Sequence, residues 1–244
     1  MTYCLAIKVD EGLVFASDSR THGGVDNINI YSKMHTFNVS KKRVFVLLSA
    51  GNLATTQAVV NTIQRDMSIK AKKENLASFD YMFDAARYIG KVSRSIQKEY
   101  QTEGQQSSAS FGASFILGGQ LQGFPPELFL IYPEGNYISA SEENPFVQIG
   151  EAKYGKPILD RIICPELPLS DAARCALVSI DSTVRSNLSV GPPIELLYYK
   201  NNSYDLKHRR VFHENDEYLK SLKESWNVGL QTVFDSLPRF DWES

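Results

Sequence analysis

The chain has 244 residues, 43% of them hydrophobic and 22% charged, which is the balance of a soluble globular protein and enough length for one large core. Lys plus Arg total 26 against 28 Asp plus Glu, so the net charge of -2 supplies no broad positive field for a phosphate backbone, and nucleic acid is not the expected partner. The odd, scattered set Cys4, Cys164 and Cys175 fits neither a disulfide framework nor a metal site. No basic-then-apolar leader or roughly 18-residue apolar run is present, so a cytoplasmic chain away from the membrane is expected.

In chain order, residues 2–9 and 13–18 alternate as short strands around Asp10-Glu11-Gly12, which reads as a three-residue hairpin loop with Gly at its left-handed position. A looser stretch, 20–29, leads to a second strand pair, 30–39 and 43–50, joined near Ser40-Lys41-Lys42. From Asn52, a natural N-cap, Leu53, Val60, Ile63 and Met67 recur at helical spacing. Met82, Ala85, Ile89, Val92, Ile96 and Tyr100 mark a second helix. Strand character returns over 110–119, 127–135 and 137–150, helical pattern over 154–163 and 170–184, then strands at 194–199 and 208–213. A polar amphipathic helix closes the chain at about 215–234. Blocks of strands alternating with helix pairs predict an α+β fold of antiparallel sheets with helices outside them, in a single domain spanning 1–244.

The chemistry begins at the first hairpin. With Val9 opposite Leu13, Thr2 falls opposite Arg20 and shares a face with Asp18 as a diagonal neighbour, at roughly 7–8 Å between β-carbons. A Thr hydroxyl is a weak nucleophile. A free α-amine on the same residue, with a pKa of about 7.7–8.0, can serve as its general base once Met1 has been removed. Taken singly, Thr2, Asp18, Lys33 and Gly51 have ordinary readings as a chain start, a turn acid, a solvated lysine and a strand-to-helix turn.

Together they resemble the proteasome-like N-terminal-nucleophile hydrolases. The run 12–24, GLVFASDSRTHGG, resembles the second strand and loop of proteasome β subunits, with Ser17-Asp18-Ser19-Arg20 standing at their Ala-Asp-Ser-Arg signature. Lys33 falls where that family keeps a catalytic lysine, and Ser49-Ala50-Gly51 resembles its glycine turn before the first helix. Residues 149–155 resemble the glycine-rich turn before the third helix, 185–191 the Arg-Asp-x-x-Ser-Gly motif, and the opening MTYCLAIK the bacterial ancestral-β-subunit branch, Anbu.

The resemblance implies a four-layer αββα sandwich. It also implies a threonine peptidase acting on peptide or protein substrates in a ring-like or helical homo-oligomer, with no cofactor. By the resemblance, Thr2 attacks, Lys33 favours loss of its proton, Asp18 fixes the lysine, and Gly51 offers an N–H to the oxyanion. Glu151 stands where the family keeps a supporting serine and Ser186 where it keeps an aspartate, while Ser189 matches. Those two departures leave a scaffolding oligomer as an alternative, and a small-molecule amidase of the same superfamily as another. No unfoldase partner is named by any motif.

Other nucleophiles and ligands are set aside. Cys4 is not the residue that Met removal exposes, and it reads as a small buried strand residue. His22, His35, His208 and His213 lack the paired spacing of a zinc helix, so no metal site is expected. No Gly-x-Ser-x-Gly elbow, Gly-x-Gly-x-x-Gly turn or Walker A loop is present.

Overall fold

The computed structural model describes residues 2–22, 28–69, 74–103 and 110–243. Met1 and the side chain of His22 lie outside these. The chain opens with β1 (Tyr3–Val9) and β2 (Gly12–Asp18), then a short ribbon of β3 (Arg20–His22) and β4 (Ile28–Ile30), then β5 (Met34–Ser40) and β6 (Arg43–Gly51). Two helices follow, α1 (Leu53–Ser68) and α2 (Met82–Glu103), before β7 (Ala113–Leu121), β8 (Glu127–Ile131), β9 (Tyr137–Ser139) and β10 (Phe146–Gly150). The remainder is α3 (Lys156–Ile162), α4 (Leu169–Ser186), β11 (Ile194–Lys200), β12 (Arg209–Phe212) and α5 (Glu217–Asp235).

The strands form two five-stranded antiparallel sheets, ordered β10-β1-β2-β11-β12 and β5-β6-β7-β8-β9. Period-two alternation sorts the side chains. Cys4, Ala6 and Phe15 meet Val46, Leu48 and Ile116 between the sheets, whereas Tyr3, Leu5, Ile7 and Val14 face Leu159, Ala172, Ala176 and Ile180 of α3 and α4. On the far side Phe45, Leu47 and Phe115 pack against Val59 and Ile63 of α1 and Met82, Ala85 and Ile89 of α2. The result is the expected four layers, and the central strands read as nearly continuous apolar runs because both their faces are covered.

Two sequence expectations need correction. The first hairpin pairs Val9 with Gly12 and Cys4 with Ser17, so its loop is Asp10-Glu11 alone and the register is one residue from that predicted. Gly12 belongs to the strand because β11 crosses close by: a Cβ there would lie 1.9 Å from the Tyr199 carbonyl oxygen. A one-residue slip exchanges the faces, so Thr2 and Asp18 are not the same-face diagonal neighbours of the sequence argument. The stretch 137–150 is also not one strand, since β9 ends on one sheet and β10 starts on the other.

Asn52 caps α1 as its position suggested, accepting the Thr55 N–H at 3.1 Å. Asp216 does the same for α5, accepting from Tyr218 and Leu219. The first half of α5 lays Leu219 and Leu222 on the α4 layer, but residues 228–235 are all exposed.

Candidate active site

Asp18 ends β2 with no exposed surface, and it accepts hydrogen bonds from three directions: Lys33 Nζ at 2.7 Å, the Tyr3 N–H at 3.0 Å and the Gly191 N–H at 3.4 Å. Burial raises its carboxyl above the ordinary carboxylate value, and the Lys33 charge and the three donors pull against that rise. Lys33 precedes β5 and is itself buried. Its Nζ also donates to the Arg20 carbonyl at 2.6 Å, while its own carbonyl accepts from the Ser49 N–H at 3.0 Å. An ion pair taken out of water survives only when geometry and further hydrogen bonds offset desolvation, and here both partners are held by backbone from several strands.

The pair therefore forms next to the chain's start by a different route from the one expected. Asp18 grips the N–H of Tyr3, one residue past Thr2, rather than standing diagonally from the Thr2 side chain. On the other side the Thr2 carbonyl accepts the Glu151 N–H at 2.7 Å, at the end of β10. Thr2 is thus fixed by its backbone and its neighbour's, and its half-buried side chain lines a cavity of about 100 Å³. Lys33, Thr21, Ser49 and Gly51 share that lining, together with Leu53 and Gln57 of α1.

Gly51 ends β6 at a φ of +112°, and a Cβ would come within 2.4 Å of the Gly112 carbonyl oxygen, so only glycine fits. Its N–H direction follows from strand alternation. Ser49 donates toward β5 and Asn52 toward Gly112 before β7, so the Gly51 N–H points to the β5 side, beyond the start of β5, where the cavity lies.

The chain has relatives among known proteins. The sequence pattern of the family described as proteasome subunit matches residues 2–198. The chain belongs to the proteasome subunit family. Within it, solved Anbu (ancestral β-subunit) structures place the chain with that kind. The Anbu of Yersinia bercovieri is 41% identical, covering 98% of this chain and 100% of its own, with a TM-score of 0.92. Anbu from Hyphomicrobium sp. strain MC1 is 44% identical over 98% of this chain and 100% of its own, with a TM-score of 0.89. The structure described as a helical assembly of the Anbu complex from Pseudomonas aeruginosa is 41% identical over 99% of each chain, with a TM-score of 0.93. Among curated proteins, none matches.

The two positions expected to depart from the proteasome pattern, Glu151 and Ser186, sit as follows. Glu151 is buried, and its carboxylate accepts from Asn187 Nδ2 at 3.0 Å and lies 3.7 Å from Lys153 Nζ. Ser186 is exposed at the end of α4, and the side chain that meets Glu151 is its neighbour Asn187. Asn187 Oδ1 also accepts the Ser189 N–H at 2.9 Å, so Asn187 shapes the loop that carries Ser189 and then delivers the Gly191 N–H to Asp18. Sequence reasoning passed over Asn187. The signal was an Asn just past a helix, two residues before a Ser, the setting of a side-chain-to-backbone turn.

The residues set aside as nucleophiles or ligands have structural surroundings. Cys4 is buried between the sheets with its thiol 3.7 Å from the Ser49 carbonyl, and burial pushes that thiol well up from its ordinary value, with the Lys33 charge opposing. His208 stacks on Tyr198 with ring centroids 4.6 Å apart, and His213 is exposed. Among the described residues, no three His, Cys, Asp or Glu side chains cluster as a metal site, and no helix is long and apolar enough to cross a membrane.

Proposed function

We propose that this proteasome-type subunit of the Anbu kind is a threonine peptidase, a single N-terminal-nucleophile domain acting on peptide or protein substrates in the cytoplasm. The observation that carries the reading is the buried Lys33–Asp18 pair at 2.7 Å, clamped against the residue after Thr2 and opening on the cavity that Thr2 lines. With Met1 removed, the Thr2 α-amine takes the hydroxyl proton as the oxygen attacks the amide carbonyl. The Lys33 charge favours the developing alkoxide, Asp18 holds that charge in place, and the Gly51 N–H receives the oxyanion. Collapse of the tetrahedral adduct returns the proton to the departing amine and leaves an ester on Thr2. Water, deprotonated by the same α-amine, then hydrolyses that ester. Glu151, Asn187 and Ser189 position the segment facing the amine; Ser186, being exposed, takes no part by direct contact.

The subunit works in a homo-oligomer. Support comes from the C-terminal half of α5 and the tail after it, where Val228, Val233, Phe234, Leu237, Phe240 and Trp242 face solvent, Phe234 at 68% and Trp242 at 77% exposure. Each such side chain gains about 1.5–3 kcal/mol when covered, and so many large apolar side chains exposed along one short segment suit a protein interaction surface. The helical assembly described for the Pseudomonas aeruginosa relative agrees with that reading.

Glu151 in place of a serine, with Ser186 exposed, favours a second reading, a scaffold that retains the proteasome core without efficient hydrolysis. Thr2→Ala separates the two. The hydrolase reading expects the variant to assemble like the wild type and lose all peptide turnover; equal turnover by the variant contradicts it.

A further inference from the structure

The cavity beside Thr2 has a chemical character that the hydrolase reading alone does not assign. Its floor comes from two strands: Lys33 lies opposite Ser49, and His35, two residues on, shares their face by strand alternation. Its wall is α1, where Leu53 and Gln57 stand one turn apart with Thr56 beside them. Burial orders the depth. Ser49 and Thr56 are buried, His35 is half-buried, and Tyr31 and Gln57 are exposed at the rim.

Among the described residues the lining holds no carboxylate, and its one cation there, Lys33, is already matched by Asp18. A basic substrate side chain would find no counter-charge among those residues. An acidic one would have to compete with Asp18 for the lysine. A branched apolar side chain would meet Ala50 and Leu53 but strip water from hydroxyls, an imidazole and an amide without replacing their hydrogen bonds, a loss that a carboxamide avoids. A primary carboxamide offers two donors and an acceptor to a neutral imidazole, which itself carries one of each, and to the Gln57 amide and the hydroxyls around it. Burial lowers the His35 value, with Glu195 and Arg209 exerting opposite pulls, and so favours the neutral imidazole.

We propose that this cavity receives the side chain on the acyl side of the scissile bond and selects a neutral carboxamide, glutamine or asparagine, with His35 as the specificity-determining residue. The inference rests on the hydrolase reading of Thr2. It is tested with four N-acylated tripeptide epoxyketones that differ only in the side chain beside the warhead: glutamine, leucine, glutamate and arginine. Labelling rates are read by intact mass on the full assembled protein. The glutamine probe is expected to label Thr2 about 10-fold or more faster than each of the others. His35→Leu is expected to bring the glutamine and leucine probes to within about 2-fold of each other, and His35→Gln to keep the wild-type order. Labelling of Thr2 with leucine, glutamate or arginine ahead of glutamine overturns the inference and leaves the hydrolase reading standing, and so does an order unchanged by His35→Leu. Absence of Thr2 labelling by all four overturns both. Should His35→Leu fail to fold, the wild-type order decides.

Discussion

The N-terminal hairpin and the C-terminal helix invert the ordinary burial rule in opposite ways. At the hairpin a carboxylate and an ammonium group, Asp18 and Lys33, are sealed between strands. On α5 and its tail, Phe234, Phe240 and Trp242 stand in solvent. Burying a charge costs folding free energy, and exposing large apolar surface forgoes it, so neither feature is explained by the stability of the isolated chain. The first reads as preparation for chemistry and the second as preparation for a partner. Comparing them shows that a departure from the packing rule points toward function, and that the type of group misplaced tells which function to look for.

That contrast can be broken experimentally. The largest effect is expected at the buried pair: Lys33→Ala strands the Asp18 carboxylate and should destabilise the fold by about 3–5 kcal/mol in urea titration while abolishing turnover. A loss under about 1 kcal/mol would mean that the pair is solvated rather than sealed. A middle effect sharpens the hairpin side. Burial pushes the Tyr3 phenol up to about 12, against hydrogen bonds with Ser179 and Gln148 that lower it. Because the folded value exceeds the unfolded value of 10.0, the stabilisation tied to the neutral phenol is intact below pH 10 and is lost as pH rises toward 12. Across that window unfolding free energy should fall by roughly 2–3 kcal/mol more in the wild type than in Tyr3→Phe. Identical pH slopes in the two proteins would remove the phenol from the account.

The smallest effect on stability lies at α5. Phe234→Asp combined with Trp242→Asp should shift subunit stability by less than about 0.5 kcal/mol, as exposed substitutions do, yet lower the assembly mass measured by light scattering. An unchanged mass would show that the ridge is not the subunit contact.

Much of this was legible in the residues. The strand–helix blocks pointed to antiparallel sheets with helices outside them, the hairpin pointed to Thr2 and Asp18, and the resemblance to proteasome β subunits supplied the four layers, Lys33 and Gly51. What was not legible was the means of bringing them together. The hairpin register depended on β11 passing within contact of Gly12, a tertiary demand that a local loop rule cannot see. The division of 137–150 between two sheets likewise depends on which sheet each half joins. Asn187 escaped because its partner, Glu151, is 36 residues away in sequence. Ser186 was named from a motif position, but the helix continues through it and turns its side chain to solvent, leaving the next residue to make the contact.

Hydrolysis by this subunit depends most directly on the state of Thr2. Mass spectrometry of the purified assembly, before and after reaction with an epoxyketone and with fragmentation to locate the adduct, should find a chain lighter by Met1 and one probe molecule joined to both the amine and the hydroxyl of Thr2. A chain that keeps Met1 and remains unmodified, or an adduct that persists undiminished on Thr2→Ala, would contradict it.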